Sequence, residues 1–184
     1  MIGAIADGYA PDMTTNVVET IDVAVPVSTA YNQWTQFESF PKFMDGVERI
    51  DQVSATRTHW LTKIAGVQRE FDAEITEQQP DERIAWTTEN GTHQAGVVTF
   101  HRLDEATTRV TLQLDHEPEG FVEKAGDALG IVQRRIKGDL KNFKQFIEGL
   151  GQEGGAWRGT IRNGRVQHDH PEPPRSRVAQ WPVG

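Results

Sequence analysis

The chain contains no cysteine. Disulfides, thiolate metal sites and cysteine nucleophiles are therefore excluded. It also lacks an apolar run of the roughly 20 residues that a membrane-spanning helix needs. Positive charge is in deficit: 19 Lys and Arg stand against 27 Asp and Glu, a formal net charge of -8. A field of that sign disfavours nonspecific binding to nucleic acid or to an anionic membrane. No Gly-x-Ser-x-Gly elbow, Walker-type loop or Rossmann glycine fingerprint occurs, so three common routes to hydrolase and nucleotide chemistry are missing. The opening MIGAIADGYAPDM has neither the basic start nor the apolar length of a secretion signal. The expectation is a cytoplasmic protein with no metal, no cofactor, no nucleic-acid partner and no integral membrane association.

What is present is organised around one long segment. Between Glu119 and Gly151 the apolar residues Phe121, Ala125, Ala128, Leu129, Val132, Ile136, Leu140, Phe143, Ile147 and Leu150 recur mostly at spacings of three and four. That is the single stripe of an amphipathic helix. Residues 1–15 have no periodicity and read as a flexible leader. VVETIDVAV then alternates as a strand and stops at Pro26. Ser28 reads as the N-cap of a short helix presenting Ala30, Trp34 and Phe37, and a second short helix around Pro41 presents Phe40, Phe43 and Met44. From Val47 six strands follow, separated by turn signals at Pro80-Asp81, Asn90-Gly91 and Asp104–Thr107.

One strand, two short helices, six strands and a long helix predict an α+β domain over residues 16–150. Its seven strands form an antiparallel meander whose concave face takes the apolar stripe of the helix. Residues 151–184 are rich in Gly, Pro and Arg and read as a largely irregular tail. RGTIRNGRV is a possible small hairpin within it, and Trp157 and Trp181 are possible docking residues for a partner or a second copy. His168-Asp169-His170 in this tail reads as a solvated segment rather than a metal site.

Strand alternation sorts the candidate site residues. In VQREFDAEI, Arg69 shares a face with Val67, Phe71, Ala73 and Ile75. It either snorkels out at the sheet rim or anchors a ligand carboxylate, phenolate or enolate. His116 falls inward at the end of the last strand, as a structural group or a proton donor and acceptor. Trp60, Trp86, Gln94 and Phe100 are placed inward on the intervening strands. With Trp34, Phe43 and Phe71 they make an aromatic inventory dotted with polar groups, which suits a core or a small-molecule pocket. Phe121, at the start of the long helix beside His116, reads as part of a gate.

The element order carries a resemblance, together with Trp34, Phe40-Pro41-x-Phe43-Met44-x-Gly46-Val47, Arg83-Ile84-x-Trp86, Gly96-x-Val98-x-Phe100 and Leu140-x-x-Phe143-Lys144. The chain resembles the polyketide cyclase/dehydrase group of the START and birch-allergen-like helix-grip superfamily across residues 16–150. The resemblance implies a cavity between sheet and helix, and a ligand such as a lipid, quinone or polyketide. Ligand binding by Trp34, Phe43, Trp60, Arg69, Phe71, Trp86, Gln94, Phe100, His116 and Phe121 is the expectation. The alternative is an aromatase/cyclase or dehydratase acting on a poly-β-keto chain, with Arg69 and His116 as its catalytic candidates. A third reading is an interaction module built on the tail.

Overall fold

A computed structural model describes residues 15–64, 66–90, 93–116 and 125–168, leaving out the side chains of 15, 116 and 125–129. The strand β1 (Thr15–Val23) leads into α1 (Val27–Trp34) and a 3-10 helix (Phe37–Lys42). Then come β2 (Val47–Gln52), β3 (Arg57–Ile64), β4 (Val67–Gln79), β5 (Arg83–Thr88), β6 (Gln94–Asp104) and β7 (Thr107–His116). Every neighbouring pair is antiparallel, and the order across the sheet is β1-β7-β6-β5-β4-β3-β2. Tight turns between consecutive strands produce the meander, while β1, separated from β2 by the two short helices, closes the far edge against β7.

The long helix α2 (Ala125–Leu150) extends roughly 40 Å and lies across the inner face. Ile136, Leu140, Phe143 and Ile147 are at most 5% exposed, so this half of the stripe is buried as its spacing predicts. Leu150 instead projects into solvent at 52% exposure. Polar groups pin the helix along β1. Gln133 donates to Glu19 at 2.9 Å, Lys144 donates to the Asp22 carbonyl at 2.8 Å, and Glu148 accepts from the Ala24 N–H at 2.7 Å.

Two expectations need correction. Ser28 does not cap α1, which starts after Pro26 with no side-chain cap; Ser28 lies in the first turn, and its hydroxyl donates to Asp81 at 3.3 Å. The sheet gains two strands beyond the expected seven, because the stretch read as irregular tail holds β8 (Thr160–Arg162) and β9 (Arg165–Gln167). Asn163 and Gly164, with φ of 50° and 70°, form the primed turn that suits a two-residue hairpin. This hairpin is not alone in water. Gln78 of β4 pairs with Ile161, and the Gly164 N–H donates to the Thr76 carbonyl, along the part of β4 that β3 leaves unpaired.

The link between α2 and β8 has no regular structure, yet it is tied to α1 at successive positions. Glu153 accepts from Asn32, the Gly154 N–H donates to Gln33, and the Trp157 N–H donates to Thr35, at 2.7–3.0 Å. Arg158 makes two bonds to Asp81 and one to Asn32, with its guanidinium 5.7 Å from the Tyr31 ring centre. Ile161, fully buried, completes the attachment.

Candidate ligand-binding site

The inner face of the sheet has two unlike ends. At the end under the second half of α2, Trp34 is the hub of a closed aromatic core. Its ring makes contacts at 5.0–6.2 Å with Phe40, Phe43, Phe100 and Phe143, and all five residues are at most 6% exposed. This packing, edge-to-face for all but the tilted Phe43 pair, fills space and contributes stability beyond simple burial. Trp34, Phe43 and Phe100, expected as pocket lining, are therefore placed in the packed core.

At the other end the rings are only half buried. Trp60 and Phe71 face each other across β3 and β4 and stack at 5.8 Å with 14° between their planes. The Trp60 indole N–H donates to Thr58 at 2.8 Å, which fixes the ring's tilt. Trp86 lies one strand further on, opposite Gly96 of β6. A Cβ on Gly96 would fall 2.2 Å from the Trp86 ring, so glycine lets the indole lie flat on the β6 backbone. Register places Leu114 and Val17 in the same row. A narrow gap of about 10 Å³, no bigger than one water, lies between Phe37, Phe40, Trp60 and Trp86.

Polar groups fringe this aromatic wall. Thr88 exchanges hydrogen bonds with the Gln94 backbone, and Gln94 is paired in register with His116. The His116 side chain and Phe121 lie outside the described residues. Arg69 pairs with Thr62 on the same inward face but is exposed near the start of β4, where the sheet outruns the packed core. The structure thus brings Trp60, Phe71 and Trp86 together with Gln94 nearby, sets Arg69 at the rim, and keeps Trp34, Phe43 and Phe100 apart in the core. Thr58, Thr62 and Gly96 belong to the wall, although none of them is among the expected ligand-binding residues. Their alternation placed them inward, but only register shows which ring each one meets.

Two charged clusters lie elsewhere. On the outer face, His59 joins Asp72 at 2.5 Å and Glu70 at 2.6 Å, and hydrogen bonds to Asp72 and then Glu70 raise its pKa. Midway along α2, burial pushes the Asp139 carboxyl up to about 6, while the Arg135 charge and the Asp45 N–H oppose the shift. The Arg135 guanidinium rests on Gly46, where an added Cβ would fall 1.5 Å from Nη2. Among the described residues, no group of three or more His, Asp or Glu could hold a metal ion. No described helix is long and apolar enough to cross a membrane.

The family model described as polyketide cyclase/dehydrase and lipid transport matches residues 23–145. An uncharacterized 17.2 kDa protein of Streptomyces lincolnensis is 64% identical over 146 residues, covering 79% of this chain and 97% of that one. An aromatase/cyclase from Streptomyces sp. R1128 superposes with a TM-score of 0.64 at 16% identity, covering 78% of this chain and 99% of its own. A START superfamily protein of Mycobacterium smegmatis gives 0.60 at 16% identity, covering 73% and 95%. The last two share the fold. The matched region runs from the last residue of β1 into α2 and leaves out the 152–167 attachment, so the strands that carry the aromatic wall lie within the part the family model describes. The chain belongs to the polyketide cyclase/dehydrase and lipid transport family.

Proposed function

We propose that this protein binds a hydrophobic small molecule, of lipid, quinone or polyketide type, against the wall formed by Trp60, Phe71 and Trp86. The observation that carries this reading is the contrast between the two ends of one sheet face. The same inward alternation yields a closed core at one end and three half-buried rings with a polar fringe at the other. A large aromatic surface left half buried gains roughly 25 cal/mol per Å² when an apolar ligand covers it. Thr88, Gln94 and Arg69 supply hydroxyl, amide and guanidinium groups at the margin, suited to orienting a carbonyl or phenol oxygen.

Trp86→Ala removes the ring seated on Gly96 and the largest apolar contact on β5. Affinity for a hydrophobic aromatic probe falls about tenfold, corresponding to roughly 1.4 kcal/mol. Native mass spectrometry of the protein as purified checks the same reading by showing a bound apolar species. Saturable binding that is unchanged in Trp86→Ala, Trp60→Ala and Phe71→Ala would refute it.

The cyclase alternative asks Arg69 to polarise a carbonyl inside a dry cavity, where such a group is most effective. The position of Arg69, an exposed residue near the start of β4, favours the binding reading over that one.

A further inference from the structure

A second groove lies away from the aromatic wall. It has a volume of about 440 Å³ and lies between the 3-10 helix, the C-terminal end of α2 and the segment around Gly154. That volume is within the range of small-molecule sites. Its walls differ in character. Phe37, Phe146 and Leu150 are apolar, Gln36, Ser39 and Gln52 bring amide and hydroxyl groups, and Glu38 brings a carboxylate that accepts from the Gln52 N–H. Lys42 also lines it and has no hydrogen-bond or ion-pair partner among the described residues.

Phe37 belongs to two spaces at once. It lines this outer groove and also the narrow gap beside Trp60 and Trp86. The Phe37 ring, 5% exposed, thus lies between the groove and the inner side of Trp60 and Trp86. It packs edge-to-face on Phe40 at 5.4 Å, and the Phe37 backbone sits at a helix end. Phe37 opens a six-residue 3-10 helix, a form with poorer hydrogen bonds than an α-helix, and Pro41 lies inside that helix. The helix is tethered by the Gln52 N–H donating to Glu38 at 3.2 Å and by Gln33 donating to Ser39 at 3.0 Å.

We infer that the groove is a second binding compartment and the entrance to the interior, with Phe37 as the swinging partition. The inference rests on the binding reading above and adds the route and the shape of the ligand. The ligand is an amphipathic molecule. Its apolar end passes Phe37 to lie on Trp60 and Trp86, and an oxygen-bearing, acidic end stays in the groove beside Lys42 and the amides.

Stopped-flow binding of an anilinonaphthalene sulfonate dye, apolar rings with one anionic group, tests this. In Phe37→Ala the association and dissociation rates both rise about tenfold, with Kd changed less than threefold. Phe37 is buried, so a surface variant guards against a folding defect. Leu150→Trp fills the groove mouth, slows association at least fivefold and leaves the melting temperature unchanged. Lys42→Met weakens the sulfonate dye several-fold and leaves an uncharged analogue unaffected. Unchanged association rates in both Phe37→Ala and Leu150→Trp would overturn the entrance while leaving the binding reading intact. Binding confined to the groove, with no effect of Trp86→Ala, would overturn the passage. A wild-type protein that binds neither dye would overturn both readings.

Discussion

Gly96 and Trp86 show how one absent side chain shapes a site. The indole occupies the volume in which any Cβ at position 96 would sit. Gly96→Ala must therefore lift the ring from the sheet. Overpacking of this kind costs about 1–3 kcal/mol. Urea denaturation should show that loss together with a changed near-ultraviolet tryptophan signal; a stability equal to wild type would mean that Trp86 is not held on the backbone. Asp139 is the other residue with a measurable consequence. Burial raises its pKa to about 6 from 3.8. The folded chain then binds this proton more tightly than the unfolded chain between about pH 4 and 6, so Asp139 costs stability progressively as pH rises through that window. Because the Arg135 charge opposes the shift, Arg135→Gln moves the titration higher still. A carbon-detected NMR titration of the Asp139 carboxyl reads this directly, and a midpoint near 4 in both proteins would contradict it. Asp22 and Glu148 act with the opposite sign. Hydrogen bonds from Arg109 and Lys144 hold their pKa values low, and their contribution is lost as pH falls below about 4.

Among the elements, the least expected is the attachment formed by residues 152–167. It ties α1 to the β4–β5 turn through Arg158 and covers the open edge of β4 with β8, which also protects that edge from pairing with another chain. Ile161 anchors it. Ile161→Ala removes a fully buried side chain and costs about 2–4 kcal/mol. Differential scanning calorimetry should show one cooperative transition at lower temperature; a melting temperature within a degree of wild type would mean that the attachment is a loose appendage. The contrast with the strands is instructive. β4 was legible to the residue because alternation and a following Pro-Asp turn marked both its ends. The attachment was not, because single side chains of α1 hold its backbone, and such contacts leave no period in the sequence. Asn163-Gly164 signalled a hairpin, but nothing local signalled that β4 had a free edge to receive it. Arg69 illustrates another limit. Alternation assigns a face, but it does not say how far along the strand the covering layer extends.

Across the whole molecule, the sheet and α2 enclose a closed aromatic core at one end and present an aromatic wall at the other. The α+β helix-grip arrangement was readable from element order, because a one-sided helix after an antiparallel meander has a single apolar surface to cover. The division of that surface was not readable, since it depends on which rings meet across strands. The division is also what separates a binding protein from a solid domain. Fluorine NMR of 5-fluorotryptophan-labelled protein tests it most directly, because the tryptophans sample different places: Trp34 in the closed core, Trp60 and Trp86 on the wall, and Trp157 in the attachment. Titration with a hydrophobic aromatic ligand should shift the Trp60 and Trp86 resonances saturably, and leave Trp34 and Trp157 in place. Saturable binding that moves Trp34 or Trp157 while Trp60 and Trp86 stay still would place the ligand elsewhere and contradict the assignment of this wall as the binding site.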